Sequence, residues 1–135
     1  MSREKSMMVA LYKSLVRPHL DYCIQAWRPF LKKDIEIMEK VQRRFTRMIE
    51  GLKLLPYEER LRKINLTTLE TRRIRADMIE VYKIFQGYEG LDIKDFFELN
   101  RDGNKRSHRY KLYKKRFRLN YEIYSFGNRV VTEWN

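Results

Sequence analysis

His19 and Cys23 stand four residues apart, a spacing that on a helix would offer an imidazole and a thiol to one metal ion. Structural zinc takes four ligands, so two are too few, and helix packing is the better reading of the pair. Asp92 and Asp95 sit at i and i+3, where capping of a short helix explains them better than cation binding. No two aspartates are adjacent anywhere in the chain. Two-metal chemistry needs carboxylates close enough to share their ions. P-loop, GxSxG and HExxH patterns are missing too. No catalytic residue, metal ligand or cofactor is expected, and an independent nuclease is disfavoured for want of a carboxylate cluster.

What the chain has in quantity is cation: 30 Lys and Arg against 18 Asp and Glu, a net charge of +12 over 135 residues. The excess lies at the two ends, +5 over residues 1–50 and +7 over 101–135, with a neutral middle. Such a balance favours a polyanionic partner, with nucleic acid ahead of an acidic membrane surface or an acidic protein. One cysteine cannot form an internal disulfide, which suits the cytosol or nucleus. No apolar run is long enough to span a bilayer, and the N-terminal residues do not read as a secretory signal. An intracellular protein, with no membrane partner, is expected.

Local pairing sorts the cations. On a helix over residues 34–49, Glu36 faces Lys40, Glu39 faces Arg43, and Arg47 can reach Glu50, leaving Arg44 unanswered. In the next long helix Glu70 and Asp77 bracket Arg73, while Arg72 and Arg75 lie three apart with no acidic partner. Cations near a helix N-terminus oppose its dipole unless an anion is bound there. Arg44, Arg72 and Arg75 are therefore candidates for backbone phosphates, against the plain alternative of a solvated face. Lys105, Arg106, Arg109, Lys111, Lys114, Lys115, Arg116 and Arg118 form a second set with no acid among them. Tyr110, Tyr113 and Phe117 are interleaved, a combination suited to RNA, although such aromatics also serve as core.

The elements that must position these residues are mainly helical: a small bundle of four to five helices, with a short C-terminal basic hairpin or extended segment. Met8, Tyr12, Val16, Leu20, Cys23 and Trp27 keep a helical rhythm that Pro18 should kink, ending near Arg28-Pro29. A second helix should start from Asp34 as N-cap, bury Ile35, Met38, Val41, Phe45, Met48 and Ile49, and stop at Gly51. Pro56 opens a short helix through Ile64. The run Thr67-Thr68-Leu69-Glu70 offers a capping box for a helix that buries Ile74, Met78, Val81, Tyr82 and Phe85 and ends at Gly87. A turn of helix is plausible over 92–99. Residues 109–123 alternate as a hairpin would, turning near Tyr113-Lys114, and a helical spacing of their aromatics competes. FGNRVVTEWN reads as the first turns of a further helix. Residues 1–99 form the helical region and 100–135 the basic aromatic segment.

Three runs, LYKSLVRPHLDY (11–22), EKVQRRFTRMI (39–49) and YEERLRKINLTTLETRRIRADMIEVYKI (57–84), stand in an order and spacing that resemble the region after the palm in non-LTR (LINE-type, jockey-like) retrotransposon reverse transcriptases. FGNRVVTEWN is similar to that family's RV-x-x-WN signature. The resemblance covers residues 9–135. It implies a thumb and post-thumb region that grips template–primer duplex and element RNA, with Lys13 and Arg17 at positions the family keeps basic. It also implies that the aromatic-x-Asp-Asp turn belongs to a missing fingers–palm portion upstream, in a truncated or decayed element. The expected function is thus non-catalytic nucleic-acid binding within an RNA-directed DNA polymerase and its ribonucleoprotein. The alternative is a helical protein-interaction module whose basic surface is incidental.

Overall fold

The computed structural model describes residues 3–24, 26–100 and 110–135. The chain is mainly helical. Among the described residues no helix is long and apolar enough to cross a membrane.

Helix α1 (Arg3–Leu11) runs without a break into a π-helical stretch, Tyr12–Val16, and then α2 (Arg17–Asp21). The Arg17 N–H reaches back five residues to the Tyr12 carbonyl. Pro18 supplies the cause. A proline has no N–H for the fourth carbonyl back and its ring crowds that carbonyl, so a wider turn relieves both. The expected kink is therefore a π insertion. The expected continuation to Arg28-Pro29 is not found: Tyr22 turns extended and Cys23 takes a left-handed φ of 50°. The inserted residue also shifts the helical phase, and Val16, Cys23 and Trp27 are exposed rather than inward.

Helix α3 (Lys32–Met48) begins two residues before Asp34, which lies in its first turn, and its C-cap is Ile49 rather than a residue beside Gly51. Helix α4 (Tyr57–Lys63) has Pro56 at its N-cap. Asn65, at φ 53°, ends it: the Leu66 N–H bonds the Leu61 carbonyl at 2.9 Å and the Asn65 N–H that of Arg62 at 3.3 Å. Helix α5 (Leu69–Gln86) is capped by Thr68, whose Oγ1 accepts the Thr71 N–H at 3.2 Å, so Thr71 takes the place expected of Glu70. Gly87, at φ 71°, closes α5 in the same way that Asn65 closes α4.

Two compact units divide the chain between Arg73 and Ile74, with residues 25–27 assigned to the second. The first has a core of Val9, Tyr12, Ile49, Leu52, Leu61, Ile64 and Leu66, with Tyr12 stacked on Phe45 at 4.2 Å. The buried side of α3 is polar: Glu39, Gln42 and Thr46 point inward, while Val41 and Met48 are exposed, contrary to expectation. Gln42 explains the inversion. It accepts from the Tyr12 hydroxyl at 2.8 Å and donates to the Tyr57 oxygen and the Thr67 carbonyl. Glu39 accepts from the Tyr57 hydroxyl and from the Leu69 N–H.

The second unit packs Val81, Ile84, Phe97, Leu112, Val130 and Val131 together. Tyr82, expected inside, is exposed, and Ile84 takes its place. Helix α6 (Ile93–Phe96) is capped by Asp92, which accepts the Lys94 N–H at 3.0 Å. No hairpin forms over the described part of 109–123. Leu112 instead makes a single antiparallel bridge to Leu99, and Asn120–Ile123 is a helical turn, α7. Helix α8 (Phe126–Trp134) completes the unit. Its end occupies the partners a second strand would have used. Asn135 exchanges two bonds of 2.9 Å with the Leu112 backbone, and Trp134 Nε1 donates to the Tyr110 carbonyl while its ring stacks on Phe85.

Candidate nucleic-acid interface

Lys13 is exposed in the π stretch and Arg17 half-buried at the start of α2. Arg44 on α3 and Arg75 on α5 are exposed, and among the described residues neither has a carboxylate partner. Arg72 does not fit the expectation. Its Nε and Nη2 donate to Asp21 Oδ2 at 3.0 and 2.7 Å, an ion pair made with a residue on another helix. Arg73, read as flanked by Glu70 and Asp77, is buried with Nη2 against Met38 Sδ. Burial lowers its pKa, opposed first by the charge of Asp21. Asp77 belongs to Arg129, through bonds of 3.0 Å from Nε and Nη2.

The C-terminal set is also less uniform than its composition suggests. Lys115 is paired with Glu98 at 2.6 Å, which corrects the expectation of a run with no acidic neighbour. Lys114 Nζ donates to Thr132 at 2.7 Å. Lys111 is half-buried, and Arg116 and Arg118 are exposed without a carboxylate partner among the described residues. Lys105, Arg106 and Arg109 lie outside the described residues. Tyr110 and Tyr113 are exposed, with Tyr110 tilted against Phe85 at 5.4 Å.

One concentration of cation was not legible. Arg43 and Arg60 place their guanidiniums 4.9 and 5.4 Å from the Tyr57 ring centroid, and Arg60 Nη1 donates to the Arg43 carbonyl at 3.2 Å. The i to i+4 rule gave Arg43 to Glu39, but Glu39 faces the core, and Arg47 makes no ion pair with Glu50. The inward Gln42 and Thr46, three residues from Glu39 and Arg43 respectively, were the available signal.

His19 and Cys23 are both exposed, and no group of three or more potential metal ligands exists among the described residues. No protein-family model, curated protein or solved structure matches the chain.

Proposed function

We propose that this chain is a non-catalytic nucleic-acid-binding part of a LINE-type retrotransposon reverse transcriptase, holding template–primer duplex and element RNA through phosphate contacts inside an intracellular ribonucleoprotein. The observation that supports it is uncompensated charge: Lys13, Arg44, Arg75, Arg116 and Arg118 are exposed without a carboxylate partner among the described residues, in a chain of net charge +12. Cations left in this state gain most from meeting phosphates and releasing their counterions. Arg72, tied to Asp21, is a weaker candidate than Arg44 and Arg75. The chain lacks adjacent aspartates, so primer extension by the purified protein is expected to be absent.

A helical protein-interaction module remains the second reading, and one feature favours it. Ile37, Val41 and Met48 form an exposed apolar line along α3, 58%, 41% and 66% accessible, and Arg44 lies within it. Salt separates the two. Titration of duplex and single-stranded oligonucleotides over a salt series should give a steep negative slope of log affinity against log salt. A flat slope would hand α3 to a protein partner.

A further inference from the structure

Arg60 is 3% exposed, yet its Nε–H is covered without any acceptor among the described residues. The side chain lies close beneath the surface, shelved on Tyr57 opposite the exposed Arg43. Arg47, one helical turn beyond Arg43, is exposed as well. Burial first, then the positive charges of Arg47 and Arg43, hold the pKa of Arg60 below the arginine norm, and Glu58 offsets them only weakly. Three guanidiniums crowd one place, and among the described residues none has a carboxylate partner.

We propose that Arg43, Arg47 and Arg60 form a binding site for one backbone phosphate of a nucleic acid, distinct from Arg44 and from the C-terminal cations. Like charges held together repel unless an anion sits among them, and a covered N–H without an acceptor carries an unrecovered desolvation cost. A tetrahedral phosphate offers oxygens in several directions and matches the planar fork of each guanidinium, whereas a carboxylate offers two in one plane. The Arg60 fork is fixed in advance by its bond to the Arg43 carbonyl and by the Tyr57 ring, so little ordering remains for the anion to impose. The source of the phosphate rests on the function proposed above; the anion site does not.

The test uses the full chain and two probes, a short single-stranded oligonucleotide and inorganic phosphate, with the arginine Nε–H resonances followed by NMR. Both probes should move the Arg60 resonance. Joint replacement Arg43→Gln and Arg47→Gln should abolish that movement and lower the magnitude of the oligonucleotide salt slope by about 2. If the oligonucleotide binds the double variant with unchanged affinity and slope, this site is wrong while the wider function stands. If phosphate moves the resonance but the oligonucleotide does not bind, the anion site stands and the wider function falls. If neither probe moves it, the site is overturned. Should the double variant fail to fold, Arg47→Gln alone, at an exposed position, decides the matter by the same two readouts.

Discussion

Asp77 and Arg129 meet across 52 residues of sequence through two hydrogen bonds, with the aspartate side chain wholly buried. Removing one member leaves the other as a covered, unmatched charge. Asp77→Ala should cost about 3–5 kcal/mol in denaturant unfolding, and Asp77→Leu with Arg129→Met should recover most of that. Tyr12 and Tyr57 give a second residue-level expectation. Burial, followed by the charge of Glu39, pushes the Tyr12 pKa up to about 12, and burial with the bond to Glu39 raises that of Tyr57. A phenol whose pKa is raised on folding supports the folded state fully below its unfolded value of about 10 and loses that support as pH rises through the folded value. Stability should therefore fall between about pH 10 and 12, and less steeply in Tyr12→Phe; equal slopes in wild type and variant would contradict this. These roles were hidden from the sequence for one reason. Testing charges against neighbours three or four residues away sees one helix at a time, whereas Arg72 finds Asp21 from 51 residues off.

At the level of elements, punctuation was readable and orientation was not. Pro56, Thr68, Asp92 and Gly87 sit where start and stop chemistry puts them, and α8 was foreseen. The face of α3 was misassigned because apolar periodicity assumes an apolar interior, and this helix carries Glu39, Gln42 and Thr46 inside. The hairpin failed for a related reason. Alternation from Arg116 to Ile123 marks a strand only if a partner is near, and Leu112 spends its pairing on Leu99 and Asn135. Gly127 shows how tightly α8 is seated: a Cβ there would come within 2.9 Å of the Phe96 carbonyl oxygen. Gly127→Ala should destabilise by about 1–3 kcal/mol in thermal unfolding, and an unchanged melting temperature would show that α6 yields.

For the whole molecule, charge was the best guide and also the most easily overread. The excess of +12 is real, but Lys115 and Arg72 are answered by acids and Lys114 is held by Thr132. Replacing Arg116 and Arg118 with glutamine should lower the magnitude of the RNA salt slope by about 2, while Lys115→Gln should change it less. The melting temperature should stay put in the first variant, since both side chains are exposed. Unfolding in place of weakened binding would make those arginines structural. The polar residues of the family-like runs mostly face inward, among them Tyr12, Glu39, Gln42 and Asp77. Val130, Trp134 and Asn135 serve the packing of the second unit. What reads as a binding signature is, in large part, a folding signature.

The wide turn ahead of Pro18 ties an insertion to a substitution. Deleting Ser14 alone would tighten Tyr12–Val16 to ordinary helix and drive the proline ring into the carbonyl four residues back, a clash worth about 3 kcal/mol. Deleting Ser14 together with Pro18→Ala would remove both the spare residue and the reason for it, and the phase of Tyr12 relative to Asp21 would be kept. The two changes should be non-additive in a thermodynamic cycle, the pair milder than the deletion by itself. A chain that loses the proline is thereby freed to lose a residue, so length and composition at this bend would drift together.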